Sequence, residues 1–278
     1  GAMVAVELSE EEVVGSLEGL EGRVSLAAVN GPLSVVVSGD EGAVLELAGV
    51  WEGRGVRTRR LRVSHAFHSP LMDGMLEEFA GVADGVSFAE PRVPVVSNVT
   101  GEVVAGEELC APRYWVRHVR EPVRFFDGVR CLYERGARRF LELGPDGVLS
   151  GMVGECVEGL WAGGRDGGGG VAGEGFDAGR GLSGGPVLAV SVLRRQRPEV
   201  EAFLGALAEL WVRGTDVDWG QAFAGWGAVR VTLPTYAFQR ERYWLSARAG
   251  GEDMASAGLG SAGHPLLGAA IALAGDEG

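Results

Sequence analysis

VSLAAVNGPLSVVVSG, residues 24–39, is the stretch that decides how the first part of the chain folds. Two runs rich in β-branched residues lie on either side of Asn30, Gly31 and Pro32. A turn signal between two such runs is typical of consecutive strands. The stretch therefore predicts two strands joined by a short connection.

Strand and helix patterns alternate on both sides of this pair. MVAVEL (3–8) and VRTRRLRVS (56–64) predict strands. SEEEVVGSLEGL (9–20) and GDEGAVLELAGVWEGRG (39–55) predict helices, the first with an acidic start and the second ended by glycine. The order β-α-β-β-α-β is that of the split βαβ, or ferredoxin-like, arrangement. We expect such a unit over residues 1–64.

Residues 65–158 continue with alternating helix and strand patterns. Helices are expected over 69–86, Pro112–Val119 and Pro122–Arg135, the last one beginning at a proline because the preceding helix cannot continue through it. A buried strand (RRFLELGP) and a short helix over 147–156 follow. This alternation predicts an α/β layer, but the strands are too sparse to complete a sheet. We expect part of a domain here.

The composition excludes several classes of function. The net charge of −13 argues against a nucleic-acid partner, because phosphate binding requires an excess of cations. No apolar run approaches the roughly 18 residues of a membrane span, and the first residues do not resemble a signal peptide. The three cysteines are widely spaced and form no metal-ligand cluster with the four histidines. We expect a cytoplasmic protein without a metal site or membrane partner.

Residues 159–186 are rich in glycine and have few side chains to bury, so they predict a flexible segment. GLSGG (181–185) matches the G-x-S-x-G pattern of a nucleophilic serine only formally. A nucleophile elbow needs a strand before it and a helix after it, and neither is predicted here. A standalone serine hydrolase is therefore not expected.

VSHAFHSPLM (63–72) is the segment best suited to chemistry. His65 and His68 lie three residues apart, between a predicted strand and a predicted helix that begins at Ser69. A histidine at such a junction can present its imidazole to a cleft, and its ordinary pKa near 6.5 suits a general base at neutral pH. A hydrogen-bonded structural histidine is the alternative that spacing alone leaves open.

Several motifs, in this order along the chain, resemble a known family. VNGP, SVVVSG, HAFHSPLM and FLELGPDGVL resemble the malonyl-type acyltransferase domains of modular type I polyketide synthases. LPTYAFQRERYW is similar to the signature that closes the linker after those domains, and GHPLLGAAI is similar to the start of their dehydratases. The resemblance implies a ferredoxin-like small subdomain (1–64), the C-terminal part of an α/β-hydrolase-like large subdomain (65–158), a linker (187–245), and a second linker with the dehydratase start (246–278).

The resemblance also implies roles for individual residues. His68 would be the base that activates a serine of a GHSxG elbow, and a backbone carbonyl at His118 would steady its imidazole. His65 and Phe67 would belong to the selectivity motif, whose HAFH form goes with malonyl groups. The alternatives are a solvent-facing side chain for His118 and plain core packing for Phe67.

A separate feature is a basic face on the predicted helix over 112–119. Arg113, Arg117 and Arg120 fall on one helical face, which could bind CoA phosphates or an acidic carrier protein, or simply face solvent.

Malonyl-CoA would then be the substrate, with no cofactor bound directly, and the acyl group would pass to the phosphopantetheine thiol of an acyl carrier protein. Ketosynthase and dehydratase domains of the same chain would be further partners. In this family the elbow serine lies upstream of the position of Gly1, so we expect these 278 residues alone to be inactive. A non-catalytic linker or scaffold piece that packs neighbouring synthase domains is the alternative.

Overall fold

The computed structural model describes residues 1–163, 186–235, 237, 258–263, 266 and 269–271. The chain divides into two units, Gly1–Ala222 and Phe223–Gly278. Residues 164–185, most of LPTYAFQRERYW and part of GHPLLGAAI lie outside the described residues, so the expectations for them remain predictions. The described strands are β1 Ala2–Val6, β2 Val24–Gly31, β3 Ser34–Gly39, β4 Thr58–Arg60, β5 Val95–Val96, β6 Val103–Val104, β7 Arg139–Glu142 and β8 Leu188–Ser191. The described helices are α1 Glu10–Ser16, α2 Glu41–Gly53, a 3₁₀ helix Pro70–Met75, α3 Leu76–Asp84, α4 Gly106–Leu109, α5 Pro112–Arg120, α6 Phe125–Glu134, α7 Val148–Gly163, α8 Glu199–Val212 and α9 Trp219–Ala222.

The first four strands form one antiparallel sheet with the order β2-β3-β1-β4. The element order β-α-β-β-α-β expected from the sequence is present. β4 is shorter than expected: its register with β1 covers Thr58–Arg60, and a backbone hydrogen bond from Leu61 N–H to the Met3 carbonyl at 2.9 Å follows. The chain then leaves the sheet and continues directly into the HAFH segment.

Helices α1 and α2 bury their apolar residues against this sheet. Trp51 of α2 is 1% exposed and packs with Val4, Val35 and Val37 of the strands and with Val13 of α1. Burial of a large aromatic ring and several valines is the main favourable contribution to such a fold. The small sheet thus has its own hydrophobic core.

The segment after α5 differs from the expectation. A helix was expected from Pro122, but α6 begins at Phe125. Val123 instead forms a parallel bridge to the edge of β2: its N–H donates to the Ala27 carbonyl at 2.8 Å, and its carbonyl accepts from Val29 N–H at 2.9 Å. These two hydrogen bonds hold the segment extended and tie it to the small sheet.

The second sheet consists of β7 and β8, which pair in parallel. Val187 and Ala189 pack with Phe140 against α6 and α7, whereas Leu188 and Val190 pack against α8. Alternate residues of β8 therefore face opposite layers, as expected for a strand covered by helices on both faces. β8 lies in the segment 187–245, for which a linker is expected, and it pairs with β7 of the preceding segment.

Helix α7 is longer than the short helix expected over 147–156 and extends to Gly163. Residues 159–163 are therefore helical, although the flexible segment was expected to begin at 159. Leu160 packs with Val153 and Cys156, and the Trp161 indole N–H donates to the Tyr133 hydroxyl at 3.0 Å. Within the described ranges, no helix is long and apolar enough to cross a membrane, and no cluster of three acidic, histidine or cysteine side chains could hold a metal ion.

Candidate active site

The centre of the candidate site is His68, in the turn between β4 and the 3₁₀ helix. Its backbone has the left-handed conformation with φ 57°, which is uncommon outside glycine. Its N–H donates to the Val119 carbonyl at 3.2 Å, and its Nδ1 lies 2.7 Å from the Glu121 carbonyl oxygen. The C-terminal end of α5 therefore holds both the backbone and the ring of His68.

The contact with Glu121 determines which ring nitrogen of His68 can accept a proton. A carbonyl oxygen only accepts hydrogen bonds, so Nδ1 must carry the hydrogen that it donates. In the neutral ring Nε2 is then the basic nitrogen, and it has no hydrogen-bond partner within the described part of the chain. The contact at Nδ1 thus leaves Nε2 as the ring nitrogen that can accept a proton.

The surroundings of His68 also keep its ring neutral. Burial lowers the pKa of His68, the hydrogen bond to the Glu121 carbonyl opposes this by raising it, and the charge of nearby His118 lowers it further. The net effect is a pKa below the ordinary value of histidine. The ring is therefore available as a base at neutral pH.

His118 lies on α5, with its ring centroid 6.4 Å from that of His68. It is half-buried beside the rings of Tyr114 and Trp115, and burial lowers its pKa, so the solvent-facing alternative does not describe it. The expectation for its carbonyl needs correction, because the carbonyl next to the His68 ring belongs to Glu121. Pro122 was the signal for this: it forces the preceding residue out of helical geometry and exposes its carbonyl.

Ser69 is next to His68 in sequence, but its hydroxyl is already engaged. It is fully buried, donates to the Ala66 carbonyl at 2.6 Å and accepts from Leu71 N–H at 3.3 Å as the cap of the 3₁₀ helix. These bonds make Ser69 a structural residue. Ser183, in the formal G-x-S-x-G match, lies outside the described residues.

His65 and Phe67 lie together on the exposed side of the HAFH segment. Their ring centroids are 6.0 Å apart in an edge-on arrangement, and the intervening Ala66 is buried. Phe67 is 45% exposed, so its ring is not packed into the core that the described residues form. His65 contacts the Ser64 hydroxyl through Nδ1 at 3.1 Å. Both rings therefore lie at the surface of the described residues.

The arginines of α5 are largely paired with carboxylates. Arg117 forms two hydrogen bonds with Glu121, at 2.8 and 3.1 Å, and its NH1 is 3.6 Å from Glu108. Arg120 donates to Asp73 at 2.7 Å. These pairs neutralise most of the expected basic strip, which weakens the case for a phosphate-binding surface at this helix.

Comparison with known proteins identifies the family. The model of the family described as the acyl transferase domain matches residues 1–216. The chain belongs to the acyl transferase domain family. This match covers the small sheet, His68 with its carbonyl partner, and the parallel strands.

Relatives of this acyl transferase domain are polyketide synthases. The chain is 48% identical over its whole length to the spectinabilin polyketide synthase system protein NorB of Streptomyces orinoci, and 52% identical to the polyketide synthase GfsB of Streptomyces halstedii. It spans 12% and 5% of the lengths of these two proteins.

Solved acyltransferases share the fold. The acyltransferase domain from the second module of the salinomycin polyketide synthase is 48% identical, with a TM-score of 0.68 over 85% of this chain and 50% of that domain. A malonyl CoA-acyl carrier protein transacylase from Clostridium perfringens is 25% identical, with a TM-score of 0.59 over 76% of this chain and 58% of that protein. The mixed α/β fold of this chain is therefore that of an acyltransferase.

Proposed function

We propose that the chain is the C-terminal part of a malonyl-type acyltransferase domain of a modular type I polyketide synthase. The activity of the whole domain is transfer of malonyl from malonyl-CoA to the phosphopantetheine thiol of an acyl carrier protein. The observation that supports this most strongly is the orientation of His68, whose Nδ1 lies 2.7 Å from the Glu121 carbonyl and whose Nε2 is therefore the basic nitrogen. A fixed neutral imidazole is what a serine acyl-transfer mechanism requires.

The proposed mechanism has two halves. The nucleophilic serine is proposed to lie outside the described residues. Nε2 of His68 takes the proton of its hydroxyl while the serine oxygen attacks the thioester carbonyl. The C–S bond then breaks, and CoA leaves as a thiol with the proton that His68 returns. In the second half, Nε2 takes the proton of the phosphopantetheine thiol, the sulfur attacks the serine ester, and the serine leaves with that proton. Activation of the nucleophile thus divides one exchange into two steps.

The proposed organisation follows the same family. Residues 1–64 are a ferredoxin-like small subdomain, which the strand order β2-β3-β1-β4 and the position of α1 and α2 on the sheet support. Residues 65–158 are part of the large subdomain, and residues 187–245 and 246–278 are the following linker and the start of a dehydratase. An acyl carrier protein and the ketosynthase and dehydratase of the same synthase are the proposed partners, in the cytoplasm.

Malonyl selectivity is proposed to depend on His65 and Phe67. The Phe67 ring is exposed beside the candidate base rather than buried in the core, so it can occupy the volume that an α-methyl group would need. A hydrophobic contact of this kind discriminates one methyl group by about 1–3 kcal/mol. The expected result is a preference for malonyl over methylmalonyl groups.

A scaffold role is the second candidate. Helix α8 exposes Trp211 by 55% and Val212 by 69%, although the opposite side of the helix is buried. Exposed large apolar side chains on one helix end are suited to contact with a neighbouring domain. This role is compatible with catalysis by the whole synthase.

Labelling with radioactive malonyl-CoA tests the proposal. The full-length protein should acquire a covalent malonyl label that it passes to an acyl carrier protein. The 278 residues alone should acquire none, since Ser69 is engaged as a cap and we propose that the nucleophile lies elsewhere in the domain. Stable labelling of the isolated chain on any serine would contradict our assignment of the nucleophile.

A further inference from the structure

The Glu121 carbonyl that orients His68 belongs to a peptide unit with an unusual property. Its other half is the nitrogen of Pro122, which carries no hydrogen and so cannot be anchored by donating a hydrogen bond. Glu121 itself has left the helix, with φ −80° and ψ 156°. The direction of this carbonyl therefore depends on two anchors, the contacts that hold Glu121 on one side and the pairing of Val123 with β2 on the other.

The side chain of Glu121 is held by Arg117, one helical turn earlier. The guanidinium donates from Nε to one carboxylate oxygen at 2.8 Å and from a terminal nitrogen to the other at 3.1 Å. A two-point contact of this kind fixes direction as well as distance. A carboxylate oxygen of Glu108 lies 3.6 Å from another terminal nitrogen of Arg117, within ion-pair distance.

This ion pair is too exposed to serve mainly as a source of stability. The side chains of Arg117 and Glu121 are 45% and 40% exposed, and exposed pairs contribute little to the free energy of folding. The carboxylate that Arg117 holds belongs to the same residue as the carbonyl at His68, four bonds away along the side chain, and this position suggests a geometric role. Resting on the proposed function, we propose that Arg117 is a positioning residue for acyl transfer, which fixes the Glu121 carbonyl and through it the His68 ring.

Single and double variants of the full-length protein test this role. Arg117→Gln should lower kcat for malonyl transfer by roughly tenfold, less than the roughly hundredfold loss that a 1 Å misplacement can cause. KM for malonyl-CoA should stay unchanged, and Arg117→Lys, which lacks the two-point contact, should recover part of the rate. Arg117→Gln combined with Glu121→Gln should lose no more than the single variant, because both changes break one contact.

The charge-neutral double variant also gives a readout that loss of stability would not produce. The charged groups on α5 and the 3₁₀ helix, the two elements beside His68, are Arg113, His118, the pair Arg117–Glu121 and the pair Arg120–Asp73. Removing both charges of one pair leaves the local net charge unchanged. The hydrogen bond to the Glu121 carbonyl raises the pKa of His68, so a looser contact should lower that pKa. The acid limb of the pH profile of kcat/KM should then move to lower pH.

Arg60→Gln is the matched control, because Arg60 forms a similar exposed ion pair with Glu41 in the small sheet. It should leave kcat and the pH profile at the wild-type values. A double Arg117 and Glu121 variant with wild-type kcat and pH profile would overturn the positioning role, as would an equal loss in Arg60→Gln. If the wild-type protein transfers no malonyl group, or does so without His68, the proposed function itself is wrong.

Discussion

Replacement of His68 is the most direct test of the site. His68→Ala removes the base that the Glu121 carbonyl orients, and loss of a positioned general base typically lowers a rate by about 10²–10⁴-fold. At about 1.36 kcal/mol for each factor of ten, this corresponds to about 3–5 kcal/mol of activation free energy. The measured quantity is the rate of self-acylation by malonyl-CoA in the full-length protein.

The backbone conformation of His68 makes a second variant useful. His68 has φ 57°, a conformation that costs most residues roughly 1–2 kcal/mol and that asparagine tolerates well. His68→Asn therefore removes the base while keeping a residue suited to the turn, and it should lose as much activity as His68→Ala. Urea unfolding of both variants separates loss of the base from loss of the fold.

His65 is the comparison for this experiment, because it is a histidine three residues away on the exposed side of the segment. His65→Ala should retain far more of the rate than either His68 variant. The wild-type acid limb should lie below the ordinary histidine pKa of about 6.5, since burial lowers the pKa of His68. If His65→Ala abolished acylation while His68→Ala left it near wild type, the assignment of the base would be wrong.

Three further predictions concern selectivity, the core and the buried thiol. His65→Tyr with Phe67→Ser should keep activity and shift the ratio of kcat/KM values toward methylmalonyl-CoA, by an amount equivalent to about 1–3 kcal/mol. Trp51→Ala should lower the free energy of unfolding by about 3–5 kcal/mol in urea titrations, because this ring is 1% exposed in the core of the small sheet. Burial raises the pKa of Cys156 to about 12, so iodoacetamide at pH 8 should alkylate this thiol only after unfolding, whereas the less buried Cys110 should react in the native protein.

Each of these three predictions has a result that would contradict it. Unchanged acyl preference in the double HAFH variant would remove Phe67 from the selectivity motif. Val50→Ala, at a neighbouring residue that is 47% exposed, should cost far less stability than Trp51→Ala, and equal losses would contradict the packing argument. Native alkylation of Cys156 at the rate of Cys110 would show that this part of α7 opens readily.

Local patterns in the sequence were sufficient to predict much of the fold. The β-branched runs around Asn30–Pro32 and the apolar spacing of residues 41–53 are periodic signals within single elements, and the element order of the small sheet followed from them. The position between a strand and a capped helix also marked both His65 and His68 as candidate bases, and the resemblance to the family favoured His68. Such features are determined by neighbouring residues, which a sequence displays directly.

Tertiary structure decided what depends on contacts between distant residues. The ring of His68 is oriented by a carbonyl 53 positions later in the chain, and the sequence reading assigned this role to His118 rather than to Glu121. Likewise, α6 begins after Val123 because that residue pairs with β2, and β8 lies beside β7 across a gap of 45 residues. Local periodicity carries no information on such pairs. They form because backbone groups removed from water must find hydrogen-bond partners, and packing of the whole unit determines which partners are within reach.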